Sequence, residues 1–343
     1  MRYSRVEGGP IPANPALKKA SSPFFPLESP KVPRPRKVGI THVLDRLHGL
    51  NPDELRPLAP YIDVVKLGWG LPLLYPREEV RKRIQFYHSL GAEVSTGGTL
   101  LEHAVMRDVA GQLMDEARAL GFDIIEISDG IIELSPAQIE HLADEVKKRR
   151  LDFYIEVGKK NPQHQLSLRE TIDRIGRALA LHPRKVIIES RESGRGVGIY
   201  DGEGAIKWDW VHQITADYAK EDLIFEAPME SQQISLLREL GSETNLGNIA
   251  VTSIAPLASQ RLGLRGDTFG TLRSSRSVGG PPATKFLYFL LETYRGLDQS
   301  ELVRLSRLPR RTVQSGLESL RKQGLVREGV SLVDSRRREY RLT

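Results

Sequence analysis

The chain has 343 residues, of which 39% are hydrophobic and 27% charged, with 50 Lys and Arg against 44 Asp and Glu. It contains no cysteine, which excludes disulfides, thiolate metal sites and a cysteine nucleophile. Any metal must therefore have oxygen or imidazole ligands. No apolar run reaches the roughly 18 residues of a membrane span, and the N-terminus lacks the apolar core of a signal peptide. We expect a soluble, cytoplasmic protein without membrane contact.

The first segment, residues 1–36, is rich in proline and basic residues. It holds eight of the 21 prolines and has seven basic against two acidic residues. Proline at this density is incompatible with helix and sheet interiors. The pattern predicts an extended tail that is either a solvated leader or a functional arm, with Phe24 and Phe25 as candidates for docking on the body.

From residue 37 onward, short β-branched runs alternate with segments of helical periodicity. Eight such runs begin near Gly39, Asp63, Glu93, Asp123, Asp152, Lys185, Leu223 and Asn248. Ser135 before a proline marks a helix start, and Gly91, Gly121 and Gly241 mark helix ends. Eight strand–helix units in about 235 residues match the size of a (β/α)₈ barrel. The sequence predicts an α/β protein with a TIM barrel over residues 37–270.

The remaining residues have a different pattern. Residues 271–282 are rich in Gly, Pro and Ser and are predicted to be a linker. Residues 283–343 contain one helical pattern, a second short helix capped by Asp298, and a third helix that ends at Gly324. Two strands joined by a turn at Asp334–Ser335 follow. Three helices and then a β-hairpin is the order of a winged helix-turn-helix domain.

The predicted barrel assigns directions to its side chains. Alternate residues of a barrel strand face the lumen, and catalytic residues cluster at the C-terminal strand ends. Apolar residues such as Ile125, Phe153, Val186 and Phe225 suit the outer helix layer, and Lys159 has the parity of that layer. The polar residues of opposite parity then face the lumen: Lys66, Glu126, Glu156, Lys160, Glu189, Arg191 and Glu226.

Four glutamates from consecutive strands thus converge on one lumen mouth. Burying them together costs on the order of several kcal/mol each unless cations compensate. The inward lysines and arginine provide part of that compensation, and a hard divalent ion such as Mg²⁺ could supply the rest. The candidate metal ligands are Glu126, Glu156, Glu189 and Glu226. The alternative is a salt-bridged barrel interior without catalysis. The histidines show no metal-ligand spacing, and we expect His42, His48 and His103 to be structural or surface residues.

Turns with glycine and arginine follow several of the strands. The backbone amides of such turns are suited to phosphate or carboxylate groups, and barrels often hold phosphate near their last two strands, which favours Arg265. The candidate substrate-binding residues are Gly97, Gly98, Gly194, Arg195, Asn248, Arg265 and Gly266. Together with the carboxylates, they indicate a small, multiply anionic substrate and a metal.

At these residues the chain resembles the phosphosulfolactate synthase family. The matching strings are VLDR, YIDVVKLGWG, GGTLLE, GFDIIEISDG, EVGKK, VIIESRESGRG, IFEAPMESQQ, NLGNI and RLGLRGDTFG. They run in order from about residue 38 to residue 270 and cover nearly the whole predicted barrel. An ordered set of this length is highly specific for the family.

The resemblance implies a Mg²⁺-dependent carbon–sulfur lyase with a (β/α)₈ fold. Such an enzyme adds sulfite to C3 of phosphoenolpyruvate and forms (2R)-phospho-3-sulfolactate, the first step toward coenzyme M in methanogens. The addition builds negative charge on the carboxylate, which a divalent metal stabilises, and a lysine then protonates C2. Strand parity selects Lys160 over Lys159 as that acid, with Lys66 and Arg191 as further catalytic candidates. The resemblance also suggests a homo-oligomer.

The C-terminal segment has a strongly basic composition. Residues 272–343 carry 15 Lys and Arg against seven Asp and Glu. In helix-turn-helix domains, residues at the start of the recognition helix contact bases, and basic wing residues contact phosphates or the minor groove. The candidate DNA-binding residues are Arg310, Arg311, Thr312, Arg321, Arg336, Arg337 and Arg338. The pattern favours DNA binding over dimerisation or protein contact.

Two functional hypotheses follow. The chain is either a synthase with an appended module or a DNA-binding transcriptional regulator whose barrel senses a phosphorylated metabolite. Retention of Lys160, Arg191, Arg265 and all four inward glutamates favours the enzyme, because a sensor does not need a proton donor. The net charge of +6 conceals this division, since the tail carries +5, the C-terminal segment +8 and the barrel −7.

Overall fold

The computed structural model describes residues 35–46, 51–161, 163–269, 278–294, 296–330 and 338–342. Most of the predicted tail and linker lie outside these ranges, as do His48, the Asp334–Ser335 turn, Arg336 and Arg337.

The N-terminal body is a closed barrel of eight parallel strands, in which each strand pairs with the next and the last pairs with the first. The strands are β1 (Thr41–Asp45), β2 (Val64–Leu67), β3 (Glu93–Thr96), β4 (Ile124–Ser128), β5 (Asp152–Val157), β6 (Lys185–Ile188), β7 (Leu223–Glu226) and β8 (Leu246–Ala250). Each predicted strand start lies within two residues of the observed one. The predicted (β/α)₈ barrel is confirmed.

Helices follow the strands and cover the outside of the barrel. They are α1 (Pro52–Leu55), α2 (Arg77–Ser89), α3 (Gly98–Val105), α4 (Ala110–Leu120), α5 (Pro136–Lys148), α6 (Leu168–Ala180), α7 (Trp208–Asp217), α8 (Glu230–Leu240) and α9 (Ile254–Arg261). Ser135 caps α5 as predicted, because its side chain accepts from the Gln138 amide and the Gln138 side chain accepts from the Ser135 amide. Gly121 and Gly241 end α4 and α8, which is also as predicted.

Two apolar layers stabilise the barrel. The larger one lies between strands and helices and includes Ile125, Phe153 and Phe225. The smaller one fills the lumen below the polar residues and consists of Ile40, Val64, Ile124, Tyr154, Ile187 and Ile224. Sequence neighbours such as Ile124 and Ile125 therefore belong to different layers, which confirms the alternation on which the side-chain directions were based.

The C-terminal residues form a body with an apolar core of their own, centred on leucines of three helices. These helices are α10 (Pro282–Tyr294), α11 (Gln299–Ser306) and α12 (Arg310–Lys322). The strands β9 (Leu297–Asp298), β10 (Val326–Val330) and β11 (Arg338–Leu342) form an antiparallel sheet in the order β10–β11–β9. Asp298 caps α11 as predicted, but the sequence reasoning missed β9. None of the helices in the described ranges is long and apolar enough to cross a membrane.

Candidate active site

Acidic residues meet in the lumen at the C-terminal ends of four strands, as strand parity predicted. Glu126, Glu156 and Glu226 lie in β4, β5 and β7, and Glu189 directly follows β6. Each is exposed by no more than 3%. Buried carboxylates are costly unless nearby cations balance their negative charge. The cations around this cluster therefore determine its chemistry.

Lys66 in β2 is the central cation of the cluster. Its Nζ lies 3.0 Å from Glu126 Oε2, 3.0 Å from Glu226 Oε1 and 3.8 Å from Glu156 Oε2. Burial opposes the charge on Lys66, but the surrounding glutamates outweigh it and hold the pKa of the ammonium well above its usual value. Lys66 is therefore a fixed positive charge that holds three strands together in the lumen.

Lys160 follows β5 and reaches the same cluster from the rim. Its Nζ lies 2.8 Å from Glu156 Oε1 and 3.4 Å from Glu189 Oε2, and it donates to Thr99 Oγ1 at 3.1 Å. Burial lowers the pKa of Lys160, but the two carboxylates raise it above its ordinary value, so the side chain carries a proton at neutral pH.

Lys159 points the other way, as parity predicted. Its Nζ lies 3.1 Å from Asp129 Oδ2 and 2.9 Å from Glu133 Oε1, in the helix layer. Of the two adjacent lysines, only Lys160 faces the lumen.

Glu156 and Glu189 are neighbouring carboxyl groups, and each affects the ionisation of the other. Burial, together with the negative charges of Glu156 and Glu226, raises the pKa of Glu189 well above its usual range. Burial opposes ionisation of Glu156 as well, but Lys160 and the hydrogen bond from Glu189 hold the pKa of Glu156 low. Four carboxyl groups thus face two ammonium groups, which leaves an excess of acidic oxygen at this end of the lumen.

Glu126 lies deeper than the other three acids. Its Oε1 accepts from the Ser95 hydroxyl at 2.7 Å and lies 3.0 Å from His42 Nε2, and the residue has no exposed surface. His42 is buried, in agreement with its predicted structural role. Among the four glutamates, Glu126 anchors the floor of the site and does not reach the cavity above it.

A narrow cavity of about 80 Å³ opens above these side chains. Of the predicted site residues, it brings together Lys66, Gly97, Gly98, Glu156, Lys160, Glu189, Arg191, Glu226 and Asn248. Arg191 has φ +58° and donates its backbone N–H to Glu189, and Asn248 has φ +54°, so both residues adopt the left-handed backbone conformation at the cavity rim.

Glycines allow the strand ends to approach each other around the cavity. A Cβ at Gly97 would lie 3.2 Å from the Gly68 Cα, and a Cβ at Gly98 would lie 2.5 Å from the Ser128 Cβ and 3.5 Å from Glu156 Oε2. No larger residue fits at Gly98 without moving Ser128. Gly98 therefore keeps the space over the Glu156 carboxylate open, and Gly97 lets the end of β3 approach Gly68.

Several predicted substrate-binding residues lie away from the cavity. Arg265 forms ion pairs with Glu230 and Asp267, and neither Arg265 nor Gly266 lines the cavity. Gly194 accepts a hydrogen bond from Gln232, which fixes the loop after β6, and Gly194 and Arg195 also lie outside the cavity lining.

Three groups near the site were not found by sequence reasoning. Thr99 accepts a hydrogen bond from Lys160, and Trp69 lines the cavity. Glu102 is 2% exposed, and its Oε2 accepts the amides of Ile131 and Ile132, which positions the loop after β4. In the sequence, Thr99 and Glu102 both belong to the GGTLLE string. Thr99 directly follows Gly98, and Glu102 comes four residues after Gly98.

The described residues include no group of three or more acidic or histidine side chains arranged as ligands of one metal ion. The cavity walls nevertheless offer the oxygen donors that Mg²⁺ prefers, in Glu156 and Glu189. Since Mg²⁺ commonly takes only one or two protein carboxylates and completes its shell with water and substrate oxygens, these residues fit such an ion.

Comparison with known proteins gives a consistent result over the barrel. The family model for (2R)-phospho-3-sulfolactate synthase (ComA) matches residues 29–267. A phosphosulfolactate synthase of Methanothermobacter thermautotrophicus is 38% identical over 71% of this chain and 96% of its own length. One from Methanocaldococcus jannaschii is 38% identical over 68% of this chain and 94% of its length. One from Bacillus subtilis is 32% identical over 71% of this chain and 98% of its own length. The chain belongs to the (2R)-phospho-3-sulfolactate synthase (ComA) family.

Proposed function

We propose that the barrel catalyses the addition of sulfite to C3 of phosphoenolpyruvate and forms (2R)-phospho-3-sulfolactate. The observation that carries this proposal is the position of Lys160, a protonated lysine at the wall of a cavity in a barrel that matches almost the full length of the synthase relatives. The same match favours the enzyme hypothesis over the regulator hypothesis, because the synthase relatives align with the barrel over nearly their full length.

The chain's own residues would act at three points of the reaction. As the sulfur lone pair of sulfite forms a bond to C3, the π electrons of the C2–C3 bond move toward the substrate carboxylate. Lys160 then transfers its proton to C2, which completes the addition. The high pKa of Lys160 keeps this proton in place until a strongly basic carbon develops beside it. Lys66 holds the surrounding carboxylates in position, and Arg191 is placed to contact an anionic group of the substrate.

We also propose that the site uses Mg²⁺. Glu156 and Glu189 are suited to hold the ion, because both line the cavity and the four glutamates outnumber the two lysines. When bound, Mg²⁺ would stabilise the negative charge that develops on the substrate carboxylate. Glu126 and Glu226 are engaged by Lys66 and serve as supports of this arrangement.

A direct assay tests this function. Purified protein is mixed with Mg²⁺, phosphoenolpyruvate and sulfite, and the product is identified by mass spectrometry and chiral separation. We expect (2R)-phospho-3-sulfolactate, and no product when sulfite is omitted. Absence of the product under these conditions would reject the proposed activity.

For the C-terminal body, we infer a winged helix-turn-helix that binds duplex DNA through α12. The order of three helices and a three-stranded antiparallel sheet supports this inference. Arg310 and Arg311 are exposed at the start of α12, and no ion pair to either is found within the described residues. Arg321 and Arg338 both pair with Glu328, which leaves the start of the helix as the strongest basic feature.

An electrophoretic mobility shift with genomic DNA fragments tests this inference. The double variant R310A/R311A should weaken binding by about tenfold or more, because two phosphate or base contacts are lost. The exposed Lys285 in α10 provides the control, and K285A should bind as the wild type does. Equal binding by R310A/R311A and wild type would exclude α12 as the DNA-contacting element.

A further inference from the structure

Arg46 lies at the mouth of the barrel, and the proposed reaction gives it no role so far. It directly follows β1, in which His42 and Leu44 face the lumen: His42 contacts Glu126, and Leu44 lines the cavity. By the same alternation, Arg46 belongs to the cavity side. Its guanidinium carbon lies 4.8 Å from the centre of the Trp69 ring, and Trp69 is itself part of the cavity wall.

Part of the Arg46 guanidinium has no hydrogen-bond acceptor among the residues that the structure describes. Its Nε is buried without a hydrogen-bond partner, and within the described ranges no carboxylate forms an ion pair with it. The adjacent Asp45 faces the helix layer, where Arg83 donates to it at 2.7 and 2.8 Å and the Tyr87 hydroxyl at 2.7 Å. A buried donor without an acceptor costs free energy unless a ligand supplies one.

The other cavity cations are placed differently. Lys66 and Lys160 form ion pairs with glutamates, whereas no such pair to Arg46 is found among the described residues. Arg191 lies in the loop after β6. In the closed order of strands, β6 lies across the lumen from β1 and β2. Arg191 lines the cavity on the β6 side, and Arg46 lies behind Trp69 at the rim on the β1–β2 side, so the two arginines offer separate positions for anionic groups.

We propose that Arg46 binds the sulfite oxyanion and that the Trp69 ring holds its guanidinium in place. This inference rests on the proposed synthase activity. Lys160 delivers the proton from the β5–β6 side, so phosphoenolpyruvate lies against that wall, and the nucleophile enters from the β1–β2 side where Arg46 lies. A planar guanidinium donates two parallel hydrogen bonds to an oxyanion and stacks on an aromatic ring at the same time. Arg46 is thus the residue that determines how tightly the second substrate binds.

Steady-state kinetics of R46Q test the proposal. Loss of one charge-assisted pair should raise the KM for sulfite by about tenfold or more, while the KM for phosphoenolpyruvate stays within about twofold of the wild-type value. R46K should recover part of the affinity because it keeps the charge, and W69L should show a weaker form of the same defect. R81Q, which changes a half-buried arginine of α2 that pairs with Glu78 and does not line the cavity, is the matched control. A rise in the KM for phosphoenolpyruvate instead of sulfite would overturn the proposal, as would no change in either.

A binding measurement separates this proposal from the synthase activity. Sulfite alone, added without phosphoenolpyruvate, should change the tryptophan fluorescence of the wild type, and the change should be absent in R46Q and in W69F. Phosphoenolpyruvate alone should bind R46Q and wild type equally. If the wild type forms no product but shows this sulfite response, the activity fails and the oxyanion site stands. A sulfite response that R46Q retains would remove Arg46 from the site.

Discussion

Replacement of Lys66 by methionine should destabilise the barrel strongly. The Lys66 ammonium is buried and pairs with Glu126 and Glu226 at 3.0 Å each. Its removal leaves these carboxylates buried without their cation, and breaking a buried pair in this way costs about 3–5 kcal/mol. Since single domains have a total stability of roughly 5–15 kcal/mol, K66M should lose a large fraction of it.

Urea unfolding followed by tryptophan fluorescence measures this loss in the full chain. All three tryptophans, Trp69, Trp208 and Trp210, lie in the barrel, so the signal reports the barrel and not the C-terminal body. The double variant K66M/E226Q should recover about 1 kcal/mol or more relative to K66M, because one unpaired charge is removed.

The exposed Lys82 in α2, which pairs with Glu79, provides the control. K82M should change the free energy of unfolding by less than about 0.5 kcal/mol. A loss of less than about 1 kcal/mol in K66M, with no recovery in the double variant, would refute the view that Lys66 compensates the buried acids.

Three further predictions concern the cavity, the metal and the fold. G98A places a Cβ 2.5 Å from the Ser128 Cβ and should displace Ser128 and Glu156. Enzyme assays of the correctly folded variant should therefore show a kcat/KM about 100-fold below the wild-type value. Treatment with EDTA should abolish product formation, and added Mg²⁺ should restore it; activity that persists after complete metal removal would argue against the metal proposal. S135A removes the cap of α5 and should lower the free energy of unfolding by about 1 kcal/mol, measured by urea titration.

Strand periodicity made much of the site predictable from the sequence. A period of two residues decides which face of a strand each side chain occupies, so Glu156 and Lys160 could be placed in the lumen and Lys159 outside it. The closed barrel then brings the ends of all strands together, whatever their distance along the chain. These two facts of geometry were sufficient for the central cluster.

The residues beyond the strand ends were less predictable, because their direction depends on loop conformation. Arg265 was predicted to bind the substrate; in the structure it pairs with Glu230 at the start of α8 and does not line the cavity. The position of Arg46 depends on Trp69, whose backbone adopts φ +57°, a conformation that the sequence pattern does not reveal for a non-glycine residue.

Contributions from helices and very short strands were also missed. Glu102 lies in α3 and reaches back to the loop after β4, a contact that depends on how the helix packs against the barrel. The two-residue strand β9 pairs with β11, but it is too short to show an alternating pattern.

Lys160 is assigned as the donor of the proton at C2, and single-turnover reactions test this assignment. Single-turnover reactions with phosphoenolpyruvate, sulfite and Mg²⁺ in D₂O are followed by mass spectrometry for K160M, K159M and the wild type. We predict that the wild type and K159M form (2R)-phospho-3-sulfolactate with one deuterium at C2, and that K160M forms it at least about 100-fold more slowly while it still binds phosphoenolpyruvate. Product formation by K160M at the wild-type rate would contradict the assignment of Lys160 as the proton donor.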